Sequence, residues 1–260
     1  MNPTPRTAIV TGATRGIGLS VTTTLAEQGF RVFACARDGG ELAFLVKELT
    51  GRGHEVAGLT CDIRSQEEID AFVTAAVERM GPVDTLVNNA GRSGGGITAD
   101  ITDELWYDVI DTNLNSVFRM SRAVLTTGRM RERSRGRIVN IASTGGKQGV
   151  ALGAPYSASK HGVVGFTKAL GLELAKTGIT VNAVCPGYVE TPMAVQVRRG
   201  YADHWEISEA EVLERFQAKI PLGRYTEPDE VAAMVCYLAS DAAAPVTAQA
   251  INICGGLGNY

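Results

Sequence analysis

Short β-branched and apolar runs alternate along the chain with longer stretches whose apolar positions recur at three- and four-residue steps. The short runs are Thr7-Ala-Ile-Val-Thr, Arg31-Val-Phe-Ala-Cys, Val56-Ala-Gly-Leu-Thr, Thr85-Leu-Val-Asn, Ile138-Val-Asn-Ile, Thr180-Val-Asn-Ala-Val and Ala250-Ile-Asn-Ile. The helical periodicity falls near residues 17 to 28, 41 to 52, 66 to 80, 103 to 127, 157 to 176 and 228 to 239. This alternation predicts an α/β fold: one Rossmann-type, doubly wound parallel sheet of about seven strands with helices on both faces. No repeat or low-complexity linker interrupts it, so residues 1–260 read as a single domain. The stretch from about 191 to 222 departs from the pattern. Arg198-Arg-Gly-Tyr-Ala-Asp-His-Trp-Glu mixes charge with exposed aromatics, and Ser208-Glu-Ala-Glu opens a short helix with an N-cap and early carboxylates. It predicts a helical lid inserted before the last βα unit.

A hydrophobic content of 45% suits a large core, and a net charge of -3 with scattered Lys and Arg gives no basic stripe for nucleic acid. No stretch approaches the ~20 apolar residues of a membrane span, and no apolar leader precedes the first strand. The chain reads as cytoplasmic, with small-molecule ligands. Cys35, Cys61, Cys185, Cys236 and Cys254 are odd in number and lie mostly in apolar runs, which suits reduced core thiols and argues against a disulfide frame or a metal site.

Tyr156-Ser-Ala-Ser-Lys160 places a phenol and an ammonium on one helix face. A cation beside a phenol favours phenolate and brings its pKa toward neutrality, so the pair can deliver a proton to a ketone. Ser143 closes a buried strand, where its hydroxyl can steady a developing oxyanion. Directly after the first strand, Thr11-Gly-Ala-Thr-Arg-Gly-Ile-Gly supplies Gly12, Thr14, Arg15, Gly16, Ile17 and Gly18, a glycine turn opening a helix whose amides can hold a pyrophosphate. The second strand ends in Ala36 and Arg37, where NAD would call for an acid. Arg37 with Arg15 makes a fork for a 2'-phosphate, and so favours NADPH. Asp38 either points into the loop or pairs with Arg37. Asp62, followed by Ile63, is placed to meet the adenine amino group. Asn88, Asn89, Ala90 and Gly91 would line the adenosine side of the crevice.

Taken together, the glycine turn, Asn88-Asn-Ala-Gly, Asn113, Ser143, Tyr156-x3-Lys160 and Cys185-Pro-Gly resemble, in order and spacing, the short-chain dehydrogenase/reductase family over nearly the whole chain. Ile141-Ala-Ser-Thr-Gly-Gly-Lys-Gln-Gly, Pro155-Tyr-Ser-Ala-Ser-Lys-His-Gly-Val-Val-Gly-Phe-Thr-Lys and the ending Cys254-Gly-Gly-Leu-Gly-Asn-Tyr are similar to the ketoreductases of type II aromatic polyketide synthases. The resemblance implies NADPH-dependent reduction of one carbonyl, typically C9, of a poly-β-ketone on an acyl carrier protein. It also implies a homotetramer. By the same resemblance Tyr156 donates the proton, Ser143 holds the carbonyl oxygen, Lys160 tunes Tyr156 and bonds the nicotinamide ribose, and Asn113 orders a water that resupplies protons. Pro186, Gly187, Val189 and Thr191 would hold the carboxamide.

The chain departs from these relatives at Arg92-Ser-Gly-Gly-Gly, where Ser93 stands in place of a frequent proline. Serine with Gly94, Gly95 and Gly96 predicts a looser loop able to bond a polyketide oxygen, and leaves the hand of the alcohol open. Further substrate candidates are Thr144, Gln148, Gly149, Val150, Met193, Val197, Tyr201 and Trp205. Arg64 and Arg92 follow strands whose ends share the crevice rim, and are candidates to receive a phosphopantetheine phosphate and carrier acids. Two rival functions remain: a 3-oxoacyl carrier-protein reductase of fatty acid synthesis, with the same catalytic set, and a regulator that senses NADPH without chemistry.

Overall fold

The structure, a computed structural model, describes residues 5–260. Seven parallel strands, β1 (Thr7–Thr11), β2 (Arg31–Cys35), β3 (Val56–Gly58), β4 (Thr85–Asn88), β5 (Gly136–Ile141), β6 (Ile179–Pro186) and β7 (Ala250–Ile253), pair in the order β3-β2-β1-β4-β5-β6-β7. The helices are α1 (Gly16–Glu27), α2 (Gly39–Gly51), α3 (Gln66–Met80), α4 (Asp103–Ile110), α5 (Ser116–Leu125), α6 (Ala154–Leu174), α7 (Pro192–Trp205), α8 (Glu209–Gln217) and α9 (Pro228–Ala239). Their ends follow local chemistry. Ser65 caps α3 by accepting from the Glu68 amide, and Gly81, at φ 75, ends it. α9 opens with Pro228 and a box between Glu227 and Glu230.

Two apolar cores sandwich the sheet, as a doubly wound fold requires. Leu25 of α1, Leu42, Leu45 and Leu49 of α2 and Val235 of α9 cover one face; Phe72 of α3, Met120 of α5 and Leu170 of α6 cover the other. Strand order reverses between β1 and β4, so the loops after these strands open the crevice where such sheets take ligands. All five cysteines are free and buried. Among the described residues no metal-binding cluster forms, and no helix is long and apolar enough to cross a membrane.

The structure differs from the periodicity in three places. The helix predicted over 103 to 127 is broken by a π turn at Asp111–Asn115, which turns Asn113 inward. α6 begins ahead of residue 157 because Pro155 is tolerated in a first turn, where no amide bond is lost. The lid holds a second helix, α7, capped by Thr191 and started at Pro192. Its aromatics are not loose on the surface: Tyr201 and Trp205 lie 5.2 and 5.9 Å, centroid to centroid, from Phe216 of α8. Apolar contact with α8 outweighs the charged look of this stretch.

Candidate active site

The glycine turn after β1 is tight enough to require its glycines. Gly12 and Gly16 have φ of 63 and 52, and a Cβ on Gly18 would lie 2.0 Å from the Gly12 carbonyl oxygen. No side chain caps α1 and no acid occupies its first turn, so its leading amides are open to an anion. Arg15 and Arg37 are exposed, and neither forms an ion pair with a carboxylate among the described residues. Asp38 does not pair with Arg37: its carboxylate accepts from the Gly40 and Glu41 amides and caps α2. A dinucleotide phosphate fits this cradle, and the two free guanidiniums suit an additional one.

The asparagines at the end of β4 spend their side chains on the protein itself. Asn88 is buried and donates to Asn140 Oδ1 and Ser121 Oγ, which ties β4 to β5 and α5. Asn89 donates to the Thr11 and Gly12 carbonyls at 2.9 and 3.0 Å, bracing the glycine turn from behind. Ala90 donates its amide to Thr11 Oγ1. Thr14 donates to Glu41 at 2.8 Å, a contact with no local signal in the sequence. Ile63 is buried in the core that covers the second face. Asp62 is drawn to Arg64 at 2.6 Å, which holds its carboxyl below the usual range.

The proposed chemical groups gather at the ends of β4, β5 and β6. Ser143 leaves β5 and turns into a short 3-10 segment, its Oγ accepting from the Gly145 amide at 3.0 Å. That bond uses an oxygen lone pair and leaves the hydroxyl its proton to donate, to the neighbouring Tyr156 or to a ligand. A Cβ on Gly145 would sit 3.3 Å from the Tyr156 ring and 3.4 Å from Ser143 Oγ, so Tyr156 and Ser143 converge over that glycine. Lys160 is buried; its Nζ donates to the Ile141 carbonyl at 2.8 Å and lies 5.9 Å from the Tyr156 ring centroid. Two further N–H groups remain for a ligand. Pro186 and Gly187 close β6 and the bend after it, with Gly187 against Cys254. Val189 bridges to Thr226, and the Thr191 methyl would lie 3.1 Å from a Cβ on Gly16.

The electrostatics run against one expectation. Burial pushes the Tyr156 phenol up, and the neighbouring Ser143 hydroxyl only partly opposes this. Burial also lowers Lys160, to about 8. Cys185, at the end of β6, is close enough to influence both groups.

The Asn113 side chain is taken up within the protein. Its Oδ1 accepts from the Arg92 amide at 2.8 Å, while Nδ2 donates to the Arg92 carbonyl and Ser159 Oγ at 3.0 and 3.1 Å. The side chain is a brace for the 91–92 loop, committed to protein partners. A Cβ on Gly91 would lie 3.2 Å from Asn113 Oδ1 and 3.6 Å from Lys160 Nζ, so the brace adjoins the lysine.

The loop at Ser93 is not loose. A Cβ on Gly94 would lie 2.4 Å from Val109, and one on Gly95 would lie 1.9 Å from the Leu152 carbonyl oxygen. The Gly96 amide donates to that same carbonyl at 2.8 Å. These glycines permit close packing against α4 and the turn ahead of α6. Arg64 and Arg92 are likewise not free: both pair with Asp108, and Arg64 also grips Asp62. Three arginines here, Arg64, Arg92 and Arg119, are matched by Asp62, Asp108 and Asp111, so this local cluster is balanced in charge.

Of the substrate candidates, Thr144 is buried under the turn, while Gln148, Gly149, Val150 and Met193 are exposed and Val197 is partly so. Tyr201 donates to the Ala151 carbonyl at 2.8 Å, joining the lid to the turn ahead of the tyrosine helix. Trp205 packs against Tyr201 and Phe216. The pairings through Asp108 and Ala151 join segments far apart in the chain, which local motifs cannot register.

Residues 6–202 match the short chain dehydrogenase family. A protein of Streptomyces virginiae named as a ketoacyl reductase of the monensin polyketide synthase is 66% identical over 257 residues, 99% of this chain and 98% of its own. A 3-oxoacyl-[acyl-carrier-protein] reductase of Vibrio cholerae is 37% identical over 257 residues, 99% of each chain. Among solved structures, a variant of actinorhodin polyketide ketoreductase with NADPH superimposes with a TM-score of 0.96 at 64% identity, covering 98% of both chains. The turn at Gly12–Gly18, the groups gathered at Ser143, Tyr156 and Lys160, and these likenesses lead to one conclusion: the chain belongs to the short chain dehydrogenase family.

Proposed function

We propose that this protein is an NADPH-dependent ketoreductase of aromatic polyketide biosynthesis, reducing one carbonyl, at C9, of a poly-β-ketone carried on an acyl carrier protein. The observation that carries the reading is the convergence of Ser143 and Tyr156 over Gly145, with buried Lys160 beside them and the glycine turn at the same rim. NADPH, when bound, supplies hydride to the carbonyl carbon. The Ser143 hydroxyl, its acceptor side filled by Gly145, donates to the carbonyl oxygen and localises negative charge there. Tyr156 then gives that oxygen its proton; burial keeps the phenol un-ionised, the form a proton donor needs. Lys160 spends one N–H on Ile141 and offers the others to the nicotinamide ribose. Arg15 and Arg37 receive the 2'-phosphate, and Val189 and Thr191 hold the carboxamide. Since the Asn113 side chain is committed, a proton-relay water would rest on its main chain.

Substrate size separates this reading from reduction of short fatty acyl chains. With NADPH saturating, a bulky bicyclic ketone should be reduced with higher kcat/KM than an acetoacetyl thioester. A strong preference for the thioester would favour the fatty-acid reading. We also infer a homotetramer, because Tyr107, Phe118 and Leu172 on α4, α5 and α6 are 62%, 46% and 72% exposed, apolar area that a partner helix would cover. Light scattering should give a particle of about four 27.5-kDa chains; a monomeric mass would reject this.

A further inference from the structure

We propose that Arg198 is a positioning residue that fastens the lid to the inner end of the cofactor crevice, so that ordering either one orders the other; this rests on the NADPH reading above. Arg198 lies on α7 and is 5% exposed. Its two terminal nitrogens fork onto Glu190, both at 2.9 Å, and its Nε donates to Glu209 at 3.1 Å. The guanidinium carbon lies 5.4 Å from the Tyr225 ring centroid. One buried cation therefore joins three segments: the bend after β6, the middle of α7 and the first turn of α8.

The placement of Glu190 is what turns this cluster toward the cofactor. It stands between Val189, held by its bridge to Thr226, and Thr191, whose hydroxyl caps α7 through the Ala194 amide. Thr191 in turn overhangs Gly16, at the start of α1. A shift of Glu190 must carry Thr191 with it, because the two share a peptide bond. An apolar contact runs parallel to the polar one. The Tyr188 ring stacks on Phe216 of α8 at 4.7 Å and on Tyr225 at 5.2 Å. By contrast, among the described residues the lid's hydrogen bond to the opposite wall is the single one from Tyr201 to Ala151. The inner end is thus doubly secured, while the outer edge can part at little cost.

Replacing Arg198 should loosen the whole group, since its fork onto Glu190 and its bond to Glu209 are lost together. The test combines hydrogen exchange of residues 190–217 with NADPH affinity from nicotinamide fluorescence, in the native protein, Arg198→Met, Arg198→Lys and Glu209→Gln. In the native protein NADPH should slow lid exchange. Arg198→Met should speed lid exchange by about 10-fold, abolish its slowing by NADPH and weaken NADPH binding on the order of 10-fold. Exchange in α3 and α5 should stay native, which separates this effect from general unfolding. Arg198→Lys, charged but unable to fork, should recover part of the affinity. Glu209→Gln, altered only on α8 and usable even if Arg198→Met does not fold, should weaken NADPH by about 3-fold. Faster lid exchange in Arg198→Met and Glu209→Gln with unchanged NADPH affinity would overturn the proposal, as would unchanged lid exchange in these two variants. Failure of the native protein to bind NADPH would overturn the cofactor reading and this proposal with it.

Discussion

Gly18→Ala should weaken NADPH binding on the order of 100-fold or more, a loss measurable by fluorescence titration without any substrate. The cause is steric: the new methyl would lie 2.0 Å from the Gly12 oxygen and 2.4 Å from Asn89 Nδ2. The turn must open to admit it, and the two bonds from Asn89 to Thr11 and Gly12 must stretch or break. Alanine is otherwise favoured over glycine inside a helix by about 1 kcal/mol, so α1 itself gains intrinsic stability. Helical content should persist while affinity collapses. Native affinity in this variant would mean that the dinucleotide does not sit on this turn.

Tyr156→Phe should lower kcat by about 10²- to 10⁴-fold while leaving NADPH affinity within about twofold of native. The ring, and with it the packing against Gly145, is kept; only the proton donor is lost. The pH dependence separates Tyr156 from Lys160. Burial has lowered the lysine to about 8, whereas the phenol is raised. Reduction consumes the phenol's proton, which remains in place well above neutrality. The limb that falls with rising pH should therefore follow Lys160: kcat/KM for NADPH, which reports the free protein, should decline above about 8 as the ammonium is lost. In Lys160→Met that limb should vanish at a much lower rate. A native profile that stays level to about 10, the ordinary phenol range, would show that Lys160 does not control NADPH capture.

The sheet was legible because strand and helix periods differ, and because parallel strands buried on both faces read as short apolar runs. The glycine turn was legible for a related reason: Gly12, Gly16 and Gly18 occupy positions where backbone geometry or contact leaves little choice. What stayed hidden depends on partners distant in sequence. Arg64 and Arg92 look like free rim charges until Asp108, on α4, is seen between them. Gly94 and Gly95 look like slack until Val109 and Leu152 are placed against them. Four-residue spacing likewise sets the proximity of Tyr156 and Lys160 but not their burial, and burial moves both titrations, the phenol up and the lysine down. Asn113 was legible as a site residue, yet its commitment to Arg92 and Ser159 follows from a π turn that no apolar period encodes.

The most direct test follows reduced nicotinamide and alcohol together when purified protein meets a carrier-bound poly-β-ketone. The account predicts one alcohol formed for each NADPH consumed by the native protein, with neither change above background in Tyr156→Phe that still binds NADPH. A native protein that binds NADPH tightly yet reduces no ketone, or a Tyr156→Phe protein that keeps native turnover, would contradict it.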